Sequence, residues 1–122
     1  MVNRKVMIVD DDKEFLDELE ETLALSGYDM VVAKDPFSAL SIASQEKSQV
    51  ILMDLKMPNK SGFQLAHEIR SFPGLQQVPI IAMTGFLRDG YESLMEMCGI
   101  KRCLKKPFNP LDVIAEIETV LE

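Results

Sequence analysis

Five short apolar runs, each of strand length and none alternating with polar residues, leave this chain few ways to fold. They fall at residues 6–9, 30–33, 50–53, 78–83 and, more weakly, 100–104. Each is rich in β-branched residues or Met. A strand with one wet face alternates, whereas a strand covered on both faces reads as a continuous apolar run. The runs therefore predict a parallel sheet buried between two layers.

The segments between the runs have helical period. Phe15, Leu16, Leu19 and Leu23 form one stripe, stopped by Gly27. Ala39, Leu40 and Ala43 form a second behind Asp35-Pro36, an N-cap followed by proline at the first helical position. Phe63, Ala66 and Ile69 mark a third, ended by Pro73-Gly74. Leu87, Tyr91, Leu94 and Cys98 mark a fourth, with Gly90 inside it and Gly99 at its C-terminal end. Val113, Ile114, Ile117, Val120 and Leu121 complete a fifth, opened by Asn109-Pro110. Strand and helix thus alternate five times, the pattern of a doubly wound α/β fold with helices on both faces of the sheet. The 122 residues suit one domain, expected over 1–122 with no linker and no output domain following.

In an open parallel sheet, ligands bind beyond the carboxyl ends of the strands. Asp10, Asp11 and Asp12 follow the first run, Asp54 the third, Thr84 the fourth and Lys106 the fifth. The topology gathers carboxylates, a hydroxyl and an amine at one edge. Packed carboxylates raise one another's pKa unless something positive sits among them. A hard divalent cation such as Mg²⁺, which takes oxygen ligands and keeps several waters, meets that need. Metal, ammonium and hydroxyl together suit a phosphoryl group, and one carboxylate could be the nucleophile that receives it. These considerations do not choose among Asp10, Asp11, Asp12 and Asp54.

Charge and composition narrow the function classes. Thirteen basic residues stand against 20 acidic, a formal charge of −7. That argues against general nucleic-acid binding, which needs a basic surface. No apolar run approaches membrane-spanning length, and the basic start of the chain runs at once into acids, unlike a signal peptide. Cys98 and Cys103 are not spaced as a metal or redox pair and are expected to be reduced thiols of a cytoplasmic protein. His67 has no second ligand nearby and reads as a surface residue on the third helix. The acids of the first helix, Glu14, Asp17, Glu18, Glu20 and Glu21, read as its solvated face. Lys101, Arg102 and Lys105 read as a solvated strand edge. Met7, Met53 and Met83 read as core filling.

Four blocks, "MIVDDD", "ILMDLKMPNKSG", "PIIAMTG" and "CLKKPFNP", stand in the order and spacing of a known family. On these blocks the chain resembles the receiver domains of two-component response regulators, CheY-like proteins, over essentially its whole length. The resemblance implies a flavodoxin-like five-stranded sheet of strand order 2-1-3-4-5. It implies a signalling domain, not a conventional enzyme, that catalyses its own Mg²⁺-dependent phosphorylation and dephosphorylation.

Asp54, before "LKMP", matches the aspartate that accepts phosphate from a kinase phosphohistidine. Asp10 and Asp11 match the acidic pair that holds Mg²⁺, with Mn²⁺ able to substitute. Asp11 binds it directly and Asp10 largely through water, and the backbone carbonyl of Lys56 completes the protein ligands. Lys106 matches the lysine that pairs with the phosphoryl group, and Thr84 the hydroxyl residue that turns toward it. Asp12 falls at a position that is often acidic but not a ligand, and is expected to favour the start of the first helix. Lys56 and Phe86 match positions that tune phosphoryl lifetime. Cys103 departs from the pattern, since receivers often carry Tyr or Phe there, and predicts a weaker or differently built switch. Implied partners are a sensor histidine kinase or histidine phosphotransfer domain docking around the first helix, and a downstream output domain or protein.

Two rivals share these residues. A haloacid-dehalogenase-type phosphatase would use the D-x-D of Asp10 and Asp12, but the hydroxyl residue of that pattern is missing and no cap segment is present. A phosphorylation-independent pseudo-receiver would keep the fold alone, which the joint presence of Asp10, Asp11, Asp54, Thr84 and Lys106 disfavours.

Overall fold

The computed structural model describes residues 4–121. Met1 to Asn3 and Glu122, which belong to the expected domain, lie outside the described residues. Ten elements alternate along the chain: β1 (Lys5–Val9), α1 (Lys13–Leu25), β2 (Asp29–Ala33), α2 (Pro36–Glu46), β3 (Val50–Asp54), α3 (Gly62–Arg70), β4 (Ile80–Thr84), α4 (Tyr91–Met97), β5 (Arg102–Lys105) and α5 (Pro110–Val120). The five strands are parallel, in the order β2-β1-β3-β4-β5. This is the expected doubly wound sheet.

The lack of alternation has a simple cause. Successive residues of a strand point to opposite faces. Met7 and Val9 enter one core with Ile51, Met53 and Ala82, under Ala39 and Ala43 of α2 and Leu65, Ala66 and Ile69 of α3. Val6 and Ile8 enter the other with Val50, Leu52, Ile81 and Met83, under Leu16, Leu19 and Leu23 of α1 and Val113 and Ile117 of α5. Both faces are dry, so the central strands are apolar except at their ends, where Lys5, Asp54 and Thr84 stand. Met7, Met53 and Met83 are wholly buried, as expected of core filling.

Helix starts follow the caps written in the sequence. Asp35 accepts from the backbone N–H groups of Phe37 and Ser38, at 2.9 and 2.8 Å, and opens α2. Asn109 and Asp112 form a reciprocal capping box at α5. Ser61 and Gln64 do the same at α3. That box fixes the start of the helix that follows the Asp54 loop.

The fourth helix differs from its expectation. Leu87 and Gly90 do not belong to it. Gly90 is the residue before the first turn, at φ 87°, and no side chain caps the helix there. Glycine takes that left-handed backbone without steric cost, so it terminates the β4–α4 loop instead of weakening a helix interior. The fourth and fifth strands also begin later than the apolar runs, at Ile80 and Arg102.

The C-terminal end of α4 is tied down by a residue that the sequence did not single out. Arg70, at the end of α3, donates from Nε to the Cys98 carbonyl at 3.2 Å and from Nη2 to the Gly99 carbonyl at 3.0 Å. Its Nη1 donates to the carbonyls of Leu75 and Val78, at 3.2 and 2.6 Å. One guanidinium thus satisfies four backbone acceptors from two loops.

Candidate functional site

The carboxyl ends of the strands bring the expected residues together. Asp10 immediately follows β1 and is wholly buried. Asp54 closes β3 and Thr84 closes β4, and both are buried. Asp11 is exposed beside Asp10. Lys106 follows β5, and its backbone N–H donates to the Thr84 carbonyl at 2.7 Å, which fixes the lysine to the neighbouring strand end.

One carboxylate oxygen from each of Asp10, Asp11 and Asp54 lies within 4.8 Å of the other two. The Lys106 ammonium donates to Asp10 Oδ2 at 2.7 Å and stands 4.0 Å from Asp54 Oδ2. Asp10 Oδ1 accepts the Asp12 N–H at 3.0 Å, so both Asp10 oxygens already have partners. Asp12 turns its side chain the other way and caps α1, accepting the Phe15 N–H at 3.2 Å. The three consecutive acids therefore divide: two join the carboxylate cluster and one starts a helix.

Burial pushes the Asp54 carboxyl up to about 6, and the neighbouring Asp10 charge adds to the effect. The Lys106 ammonium and the Lys56 N–H, which donates to Asp54 Oδ1 at 3.4 Å, work in the opposite direction. A cluster of carboxylate oxygen donors is chemically matched to a hard divalent cation, and poorly matched to soft metals.

The Thr84 hydroxyl is engaged by the backbone of the loop that follows β4. It donates to the Phe86 carbonyl at 3.1 Å and accepts the Phe86 N–H at 3.2 Å. The Phe86 ring is 68% exposed and has the Arg88 guanidinium over it at 5.9 Å. Lys56 is exposed. Cys103 is half-buried against the α2–α3–α4 core, as is Tyr91, whose ring meets Phe63 edge-on at 5.0 Å. His67 is exposed, and Arg102 pairs with Glu116 of α5 at 2.5 Å.

Two residues near the site were not recognised in the sequence. Gly62 lies so close to the Asp54 loop that a Cβ there would sit 2.4 Å from the Asp54 carbonyl oxygen. Phe15, read as part of a core stripe, turns its ring under the Lys106 ammonium, 4.2 Å from the ring centroid. Its spacing, four residues after Asp11 and with Phe108 two residues after Lys106, was the available signal.

Residues 6–118 match the family described as the response regulator receiver domain. The chain belongs to this family. Receiver domains are signalling domains of two-component systems, not conventional enzymes, and they bind Mg²⁺ at an acidic pocket. This receiver is 33% identical, over 99% of its length, to the probable transcriptional regulator ycf27 of Porphyridium aerugineum, and spans 49% of that protein. Among solved structures it resembles the chemotaxis response regulator CheY4 of Vibrio cholerae, with a TM-score of 0.91, 28% identity, and coverage of 98% of this chain and 99% of that one. It also resembles the receiver domain of the sensor histidine kinase PA1611 of Pseudomonas aeruginosa, whose structure has a magnesium ion coordinated in the active site cleft. There the TM-score is 0.82 and the identity 28%, covering 98% of this receiver and 95% of that chain. Among the receiver's described residues no helix is long and apolar enough to cross a membrane.

Proposed function

We propose that Asp54 is the phosphoacceptor of this receiver. The carboxylates of Asp10, Asp11 and Asp54 would hold Mg²⁺ with the backbone carbonyl of Lys56, and Mn²⁺ would substitute. The convergence of three carboxylates within 4.8 Å beside the Lys106 ammonium carries this reading. Asp10, with both oxygens already partnered, would reach the ion through water, and the exposed Asp11 would bind it directly. When bound, the cation supplies charge neutralisation for a phosphoryl group entering the carboxylate cluster.

The chain's own residues account for the rest. At pH 7 a carboxyl with its midpoint near 6 is mostly ionised, so Asp54 is available as a nucleophile. Its oxygen attacks the phosphorus of a phosphohistidine on a sensor kinase or phosphotransfer domain. A P–O bond forms as the P–N bond breaks, and the bonding pair leaves with the imidazole nitrogen. Lys106 exchanges part of its interaction with Asp10 for the phosphoryl oxygens. Thr84 reaches the same group only by releasing both of its bonds to Phe86, which couples the β4–α4 loop to the modification. Lys56 and Phe86, both exposed beside the site, would tune access of the hydrolytic water, and Cys103 would leave the α4–β5–α5 face without an aromatic switch. The reading extends to the whole chain as one cytoplasmic receiver. It would act alone or within a longer regulator or hybrid kinase, and its output would be a downstream domain or protein.

The test is intact mass after incubation with a small phosphodonor and Mg²⁺. Wild type should gain one phosphoryl group, and Asp54→Asn, or removal of Mg²⁺, should abolish the gain. An adduct that persists in Asp54→Asn would refute the assignment.

A further inference from the structure

Among the described residues, the Lys106 ammonium lies against Asp10 Oδ2 at 2.7 Å, Asp54 Oδ2 at 4.0 Å and the Phe15 ring centroid at 4.2 Å. A lysine side chain has many rotamers, and a point charge on a flexible stem is poorly directed by one hydrogen bond. The π face of Phe15 supplies a second attraction that does not use the ammonium's hydrogen bond to Asp10. That ring is itself fixed. It meets Phe108 edge-on, with centroids 5.8 Å apart and planes at 87°. Both rings are half-buried against the α1–α5 core. Phe108 lies two residues after Lys106, so the segment that carries the ammonium also carries the support for the ring beneath it.

We propose that Phe15 is a positioning residue for phosphorylation: its ring, held by Phe108, keeps the Lys106 ammonium between Asp10 and Asp54. This rests on the assignment of Lys106 as the partner of the phosphoryl group. The ammonium then needs only a short displacement to meet the incoming oxygens, and little rotamer freedom is lost when it does. A leucine at position 15 would keep the apolar packing of α1 and lose the π face.

The experiment compares wild type, Phe15→Leu and Phe15→Tyr. NMR reads the Lys106 ε-methylene protons without Mg²⁺, and mass spectrometry reads the rate of phosphorylation by a small phosphodonor with saturating Mg²⁺. In wild type and Phe15→Tyr the ε-protons should be shifted upfield by the ring. In Phe15→Leu they should move to the ordinary lysine position, and phosphorylation should slow by about three- to tenfold. The Mg²⁺ affinity should change less than twofold. Unchanged ε-proton shifts, or moved shifts with an unchanged rate, would overturn the proposal. A loss of rate that Phe15→Tyr fails to restore would do the same, since it would mark a packing role. If Phe15→Leu does not fold, Phe108→Leu tests the same point by freeing the Phe15 ring. Failure of wild type to become phosphorylated would refute the function of the site, while the ε-proton shifts would still report whether Phe15 holds Lys106.

Discussion

The Lys106 ammonium donates to the Asp10 carboxylate across 2.7 Å, although 96 residues separate them in sequence. Asp10 is wholly buried and has no other cation within reach among the described residues. Removing one partner of such a pair leaves an uncompensated charge. Lys106→Met should therefore destabilise the metal-free protein by about 2–4 kcal/mol, and Mg²⁺ should recover much of the loss. Urea unfolding in chelator and in saturating Mg²⁺ would measure both; an equal deficit in the two conditions would contradict this.

Asp54 gives the metal-free protein a pH dependence of definite sign. Its carboxyl is pushed from 3.8 up to about 6 by burial and by Asp10. The folded state therefore holds this proton more tightly than the unfolded chain does. Its contribution to stability is greatest below the unfolded value and is lost as the pH rises through about 6. The shift alone would correspond to about 3 kcal/mol, and solvent screening at the open site reduces that to on the order of 1–2 kcal/mol. Asp54→Asn should remove this decline and be the more stable protein at pH 7 in chelator. Saturating Mg²⁺ should reverse the order, because wild type gains about 2.7 kcal/mol at a hundredfold excess over Kd. Thermal melts across pH, with and without metal, give the comparison.

Gly62→Ala should damage the site through the backbone. The new Cβ would lie 2.4 Å from the Asp54 carbonyl oxygen and 2.8 Å from Leu55 Cα, neither of which is the end of a flexible side chain. A loss of about 1–3 kcal/mol is expected, with weaker Mg²⁺ binding as the Asp54 loop is pushed outward. Calorimetric unfolding together with an Mg²⁺ titration would report the two effects.

Asp35 offers a change far from the carboxylates. Backbone and side-chain hydrogen bonds from Ser38 hold its carboxyl below the usual range. Asp35→Ala should cost about 1 kcal/mol at neutral pH. The cost should shrink as the pH falls through the carboxyl's lowered midpoint, because a protonated carboxyl is a weaker acceptor for the same N–H groups. Denaturant midpoints of both proteins, followed from pH 7 down to well below the ordinary carboxylate range, test this.

Much of this molecule was legible in the chain because its central strands are buried on both faces. Continuous apolar runs at 6–9 and 50–53 admit little else, and the caps at Asp35 and Asn109 punctuate the helices between them. The site could be read for the same reason: once the strands are parallel, Asp10, Asp54, Thr84 and Lys106 must share an edge. Local signals failed where tertiary contacts decide. Leu87 extends a helical period, yet Gly90 starts the helix after it. Phe15 has the spacing of a core residue, and only the fold reveals that one face of its ring meets a cation. Arg70 looks like an ordinary last-turn arginine, because its four acceptors are backbone groups and leave no mark in sequence. Gly62 is demanded by the neighbouring Asp54 backbone and not by its own dihedral angles.

The two ends of α4 are unequally moored. At Gly90 no side chain caps the first turn, whereas the carbonyls of Cys98 and Gly99 are bound to Arg70, which also grips the loop before β4. The uncapped start of α4 closes the loop that Thr84 binds through Phe86, so the hydroxyl of β4 and the guanidinium of α3 hold opposite ends of one connected stretch, β4 to β5.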